Sequence, residues 1–146
     1  MQSNLGPKCH ALVMPDADKD LTIHRIISGA SGSTGQRCMV ITVAVFVGES
    51  KAWMNDIVTR ANELKTGSGL DPTTFYVPMT THEAKSRVLE IIQEGFNDGA
   101  TCLRDSRAIV VKDFPLSNVS TSNRAYSQEI FGPVLCCMTV NYFEYE

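Results

Sequence analysis

The run Met39-Val-Ile-Thr-Val-Ala-Val-Phe-Val47 constrains this chain more than any other segment. It is β-branched, interrupted only by Thr42, and apolar at successive positions, so both faces of a strand built from it are buried. Such a strand belongs in the interior of a parallel sheet with helices on each side. It is far short of the ~20 residues that a membrane helix needs. A polar turn, Gly35-Gln36-Arg37-Cys38, leads directly into it and sets a thiol at its mouth beside a fixed positive charge.

Other segments alternate between strand and helix patterns. His10 to Met14 is a short apolar run ended by Pro15 and reads as a buried strand. Asp16 is the expected N-cap of a helix whose apolar face is Leu21, Ile23, Ile26, Ile27 and Ala30. The Gly/Ser-rich stretch from Ser28 to Gly35 ends that helix. A second helix is expected over Ser50 to Lys65, with Trp53, Met54, Ile57, Val58, Ala61 and Leu64 on one side. Thr80-Thr-His-Glu83 matches a capping box for a third, with Ala84, Val88, Ile91 and Ile92 facing inward. Strands are expected within Cys102 to Val111, as a surface pair around Asp105–Arg107, and over Val134 to Val140. The alternation predicts an α/β fold: an open, mostly parallel sheet flanked by helices.

At 146 residues and 43% hydrophobic, the chain suits one domain, burying roughly 70% of its unfolded surface. The net charge of −3, without a Lys/Arg run, argues against nucleic acid, and no segment suits a membrane span. The first residues show neither a signal-peptide nor a transit-peptide pattern, so a cytoplasmic location is expected if this is the complete product. Cys9, Cys38, Cys102, Cys136 and Cys137 form no C-x-x-C pair and no zinc spacing, which leaves no metal site. They read as free thiols, Cys136 and Cys137 as buried ones. Asp16, Asp18 and Asp20 lack the Gly and Glu of a calcium loop and read as an acidic helix start. His10, alone before an apolar strand, reads as structural.

Three motifs carry chemistry. A thiolate rather than a thiol is the nucleophile, and Arg37 beside Cys38 favours negative charge on the sulfur. Downstream lies Gln128-Glu129-Ile-Phe131-Gly132-Pro133-Val134, and near the start Ser3-Asn4-Leu5-Gly6-Pro7-Lys8. Together these motifs resemble the aldehyde dehydrogenase superfamily along nearly the whole chain. The likeness is greatest to its CoA-acylating, methylmalonate-semialdehyde branch.

The resemblance implies an incomplete catalytic-domain core spanning residues 1–146, with the N-terminal NAD-binding domain of that family absent. It implies Cys38 as the nucleophile that forms a thioester, its own backbone N–H as an oxyanion donor, and Arg37 as the ligand of a substrate carboxylate. Glu129 is implied as acceptor of the nicotinamide-ribose hydroxyls of NAD, and Phe131 as the ring near the nicotinamide. Leu5 and Gly6 match backbone positions facing the same ring. Asn4 stands where a water-activating Glu is usual, the pattern in which CoA is the acyl acceptor. The chain departs from the family at Pro7, at Cys9 (Asn or Ser is usual), at Ser31 (usually Phe) and at Val40 (usually small). Extra methyl groups at Val40 are expected to crowd the reacting carbonyl. No G-x-G-x-x-G is present; Gly29, Gly32 and Gly35 lead to the thiol instead, so these residues hold one end of NAD only.

The implied function is NAD-dependent oxidation of methylmalonate or malonate semialdehyde to an acyl-CoA, in mitochondria, with the isolated chain impaired or inactive. The alternative is a non-catalytic piece, inert or associating with itself or with full-length subunits through unpaired strand edges. A thiol sensor built on Cys38 is a third reading, for which the sequence offers no placed resolving cysteine.

Overall fold

The computed structural model describes residues 6–102, 114–117 and 119–142. Its sheet has five strands: β1 (Cys9–Val13), β2 (Ile41–Val47), β3 (Thr101–Cys102), β4 (Phe114–Ser117) and β5 (Val134–Val140). Their order is β1-β2-β5-β4-β3, parallel throughout except where β3 meets β4. Helices α1 (Lys19–Ser31), α2 (Met54–Asn62), α3 (His82–Asn97) and α4 (Arg124–Ser127) complete the layers. The expected parallel α/β sheet is therefore present, with β2 an interior strand.

The two-residue period of β2 and β5 splits the core in two. Ala44, Phe46, Leu135 and Cys137 pack with Ile23, Ile26 and Ile27 of α1 and with Ile57 and Ala61 of α2. Val43, Val134 and Cys136 pack with Val88, Ile91 and Ile92 of α3 and Ala125 of α4. Adjacent residues of one strand thus serve opposite cores, which is why β2 is apolar on both faces, with Thr42 its one polar residue. Val43, Ala44 and Phe46 are fully buried. Asn123, also fully buried, donates through Nδ2 to the Gly95 carbonyl at 3.1 Å and accepts the Ala125 N–H at 2.8 Å. It thereby caps α4 and ties it to α3.

Several local expectations shift. The N-cap of α1 is Asp18, whose Oδ1 accepts the Leu21 N–H at 2.9 Å. The Ala17 N–H bonds back to the Met14 carbonyl at 3.2 Å, so Asp16 is spent in that turn. Leu21 is 52% exposed and leaves the expected apolar face. The helix expected from Ser50 to Lys65 is a 3₁₀ segment over Gly48–Trp53 followed by α2, which stops at Asn62. The Glu63 and Leu64 N–H groups take i−3 carbonyls, those of Arg60 and Ala61, the tightening that ends α-helices. The cap of α3 is Thr81, one residue beyond the expected Thr80. Thr81 Oγ1 accepts the Ala84 N–H at 3.1 Å, while Thr80 gives both its N–H and its hydroxyl to Gln36 Oε1. The run from Met39 starts as strand only at Ile41, and Met39 is 79% exposed. The strand pair expected around Asp105–Arg107 lies outside the described residues.

Candidate functional site

Because β1, β2 and β5 are adjacent and parallel, the segments that lead into them lie along one edge of the sheet. Those segments are Gly6–Lys8, Arg37–Val40 and Glu129–Pro133. This is the N-terminal edge of the strands, whereas open α/β sheets as a rule gather ligands at the C-terminal ends. Among the expected site residues, Gly6, Arg37, Cys38, Glu129 and Phe131 are brought together there. Leu5, with Asn4, lies outside the described residues.

The loop before Cys38 is held by contacts distant in sequence. Ser33, Thr34 and Gly35 all have positive φ, at 53°, 58° and 66°. For the β-branched Thr34 that conformation is strained and must be imposed by its surroundings. Thr34 donates its hydroxyl to the Val77 carbonyl, and Gln36 is gripped by Thr80 as described. Gly35 lies directly on the second motif: a Cβ there would sit 2.1 Å from the Gly132 carbonyl oxygen. Gly132 is pressed in turn against Val88, since a Cβ on it would meet Val88 Cγ2 at 2.6 Å.

Cys38 is exposed in the turn that follows, and its carbonyl oxygen is 3.6 Å from Cys9 Sγ. Arg37 is exposed as well. Its Nε–H donates to Ser33 Oγ at 2.9 Å, and its guanidinium folds back over Gly32. Ser31 and Val40 are both buried, at 0% and 4% exposure.

On the far side of Gly35, Phe131 has φ of 52° and is 39% exposed, so its ring is presented at the edge rather than buried. Glu129 is half-buried, with Oε2 3.9 Å from where a Cβ of Gly6 would stand. Gly6 has φ of 142°, a conformation that favours glycine.

Two residues that hold this arrangement were not singled out by their pattern. Arg87 of α3 donates Nη1 to the Glu129 carbonyl at 3.2 Å and Nη2 to that of Ile130. Lys8 donates Nζ to the carbonyls of Ala125 at 2.6 Å and Gln128 at 2.8 Å, closing the C-terminus of α4. Burial lowers the Lys8 pKa, against the opposing pull of Cys136 and Glu129. The available signals were a Lys at the mouth of a strand and an Arg next to the apolar stripe of α3. His10 has its ring nitrogens within reach of the Lys8 carbonyl at 2.8 Å and the Tyr126 hydroxyl at 3.2 Å.

The family model described as the aldehyde dehydrogenase family matches residues 1–145. The chain belongs to the aldehyde dehydrogenase family. Methylmalonate-semialdehyde dehydrogenase [acylating], mitochondrial, of Arabidopsis thaliana is 41% identical over 153 residues, covering 99% of this chain and 25% of the relative. The mitochondrial methylmalonate-semialdehyde/malonate-semialdehyde dehydrogenase [acylating] of Rattus norvegicus is 42% identical over 144 residues, covering 92% of this chain and 27% of that protein. Among solved structures, methylmalonate-semialdehyde dehydrogenase from Oceanimonas doudoroffii superposes with a TM-score of 0.90 at 32% identity, over 94% of this chain and 30% of that one. A Sinorhizobium meliloti structure assigned to the same activity and complexed with NAD gives 0.89 at 32% identity, over 93% and 30%. This aldehyde dehydrogenase chain thus spans between a quarter and a third of the length of those relatives.

Within the family fold, the residues present suit one end of a dinucleotide. The half-buried carboxylate of Glu129 fits a ribose diol, for which a carboxylate is a natural acceptor. An exposed ring at the same edge fits a nicotinamide face. Among the described residues no group of three or more His, Cys, Asp or Glu could hold a metal ion, and no helix is long and apolar enough to cross a membrane.

The remaining described thiols differ in kind from Cys38. Cys136 and Cys137 are buried on opposite faces of β5, and burial pushes their pKa values up to about 11 and about 12. An unfolded thiol ionises near 9, so the unfolded chain releases these protons first as pH rises. The stability they contribute is complete below pH 9 and declines from there toward about 11–12. Urea midpoints should therefore fall between pH 8 and pH 10, and less steeply in Cys137→Ala relative to that variant's own starting value. A flat profile would show that these thiols ionise as readily folded as unfolded.

Proposed function

We propose that this chain carries the thiol half of a CoA-acylating aldehyde dehydrogenase acting on methylmalonate or malonate semialdehyde. The observation that carries the reading is the position of Cys38, an exposed thiol in a braced turn, on the same sheet edge as Glu129 and Phe131. The names of the relatives supply the substrate class.

In this mechanism the Cys38 thiolate attacks the aldehyde carbon, and the carbonyl oxygen takes up the negative charge. The Cys38 backbone N–H stabilises that oxyanion, and such a donor matters most where the charge develops. Arg37 binds the carboxylate of the semialdehyde, its planar fork matching both oxygens; its guanidinium must then swing from Gly32 and Ser33 toward the substrate. NAD, when bound, supplies the hydride acceptor that converts the adduct to a thioester. Glu129 would hold its ribose hydroxyls, and Phe131 and Gly6 would face its nicotinamide; Leu5, given the same part by the family resemblance, lies outside the described residues. With Asn4 in place of a titratable base, the thiol of CoA rather than water accepts the acyl group.

These 146 residues contain no dinucleotide phosphate turn, so the chain alone is impaired as a dehydrogenase. Mitochondrial residence and homo-oligomer formation belong to the same proposal. Hydrolysis of an activated aryl ester, without NAD, tests the thiol directly. Release of the aryl leaving group as Cys38 is acylated should be measurable in the wild type, at least as a burst, and fall to the uncatalysed background in Cys38→Ala. Equal rates in the two proteins would remove Cys38 from the mechanism. With semialdehyde, NAD and CoA the chain alone should form no NADH, and NADH production would overturn the claim of impairment.

A second reading has its own support. Met39 and Phe131 are large apolar side chains exposed on the site edge; Leu12 of β1 and Met14 just after it are exposed as well, and β1 pairs with β2 alone among the described strands. This surface suits a non-catalytic piece that associates with full-length subunits. Such a piece would comigrate with full-length dehydrogenase on sizing and show no Cys38-dependent turnover.

A further inference from the structure

We propose that Cys9 is a resolving thiol for Cys38, and that hydroperoxide converts the pair to a reversible disulfide that caps the nucleophile. The sequence separates the two by 29 residues, which hides the relation. Parallel pairing of β1 with β2 removes the separation: Cys9 opens β1 opposite Ile41, just beyond the Cys38 turn. Cys9 Sγ consequently rests 3.6 Å from the carbonyl oxygen of Cys38, an atom two bonds from that residue's Cα. A disulfide needs the two sulfurs about 2.05 Å apart with Cα atoms usually 4.4–6.8 Å apart. The Cys38 side chain stands in an exposed turn, where χ1 rotation can carry its sulfur toward Cys9 without disturbing a packed core. Cys9 is itself only partly buried, so both thiols are within reach of a small oxidant.

Cys136 and Cys137 are poor competitors. Both lie in the sheet interior, and Cys136 Sγ is engaged with the Ala125 carbonyl at 3.4 Å. The family resemblance places Asn or Ser at the position of Cys9, so the second sulfur is a feature of this chain. The inference depends on the placement of two thiols and not on the dehydrogenase reading; it would stand even if the ester assay failed.

The chemistry balances in two steps. The Cys38 thiolate attacks one oxygen of the hydroperoxide; an S–O bond forms as the O–O bond breaks. The sulfur is oxidised by two electrons to sulfenic acid, and the other oxygen leaves as water or an alcohol. The Cys9 thiolate then attacks the Cys38 sulfur; an S–S bond forms, the S–O bond breaks, and hydroxide leaves to be protonated to water. A dithiol reductant then cleaves the S–S bond by two successive thiol–disulfide exchanges, is itself oxidised to a disulfide, and returns both thiols. While the disulfide stands, Cys38 cannot attack a carbonyl, and its sulfur is protected from irreversible oxidation to sulfinic acid.

The test treats the 146-residue chain with equimolar hydrogen peroxide, alkylates free thiols, then denatures, digests with trypsin and weighs the peptides. Two of the five thiols should be lost, and peptide Cys9–Lys19 should appear joined to Cys38–Lys51, each of which contains a single cysteine. Dithiothreitol should restore both, and in Cys9→Ser a second equivalent of peroxide should instead carry the Cys38 peptide to the sulfinic acid. Three results would overturn the proposal: an oxygenated Cys38 with Cys9 still alkylated in the wild type, a Cys38 link to Cys102, Cys136 or Cys137, or a link only between chains. The wild-type peptide pair, taken from protein that runs as a monomer on a non-reducing gel, decides the matter even if Cys9→Ser fails to fold.

Discussion

Gly35→Ala is expected to destabilise the protein by about 2–5 kcal/mol and to disorganise the turn that presents Cys38. Two costs add. Gly35 has φ of 66°, where a side chain costs roughly 1–2 kcal/mol. The new Cβ would also lie 2.1 Å from the Gly132 oxygen and 2.3 Å from its carbon, both backbone atoms. Overpacking typically costs ~1–3 kcal/mol, but that presumes a neighbour able to give way. Gly132 has little room to do so, because it is wedged between Gly35 and the fully buried Val88. The strain must pass either into the Ser33–Gly35 turn or into Phe131. Urea unfolding, with the alkylation rate of Cys38 as a second readout, checks both consequences. Gly69→Ala is the control: its Cβ would meet only Val77 Cγ1 at an ordinary 3.7 Å, and the expected change is within about 0.5 kcal/mol. Equal midpoints for the two variants would show that the Gly35–Gly132 contact does not constrain the site.

The next largest effect is expected at Arg87. Arg87→Met keeps much of the stem but removes two charge-assisted hydrogen bonds, to the carbonyls of Glu129 and Ile130. Ile130 is fully buried, so the carbonyls released are poorly placed to recruit water in exchange. A hydrogen bond to a charged group contributes about 1.5–3 kcal/mol, and partial rehydration of the Glu129 carbonyl lowers the sum, giving an expected loss of about 2–4 kcal/mol. Arg87→Lys should recover only part of it, because an ammonium on a flexible stem does not reproduce a planar fork spanning adjacent carbonyls. Thermal or urea unfolding of the pair is decisive. A Lys variant equal to Met would mean that fork geometry is immaterial, and a Met variant within about 0.5 kcal/mol of wild type would remove Arg87 from the support of the second motif.

Both predictions concern contacts between residues far apart in the chain, and this marks where legibility stops. The strand β2 was legible because its burial on both faces requires apolar residues at nearly every position, which a local run displays. The inward faces of α1 and α3 were legible for a similar reason, helical periodicity. The motifs around Cys38 and Glu129 were legible as a likeness to the aldehyde dehydrogenase family, whose model matches residues 1–145. The errors were local competitions that pattern does not resolve. Asp16 lost the cap to Asp18 because a turn back to Met14 took it first, and Thr80 lost it to Thr81 because Gln36 had claimed the Thr80 hydroxyl.

By itself the sequence determined the fold class, the burial of the central strand and the presence of a thiol at its mouth. These rest on local composition and period, which each segment carries alone. Only the tertiary structure decided that β1, β2 and β5 lie side by side, and so which loops meet at one edge. Strand order is fixed by packing two cores at once, and no single segment encodes it. From that order come the seating of Gly35 on Gly132, the hold of Arg87 on the second motif, and the approach of Cys9 to Cys38 that the sequence reading had found no sign of.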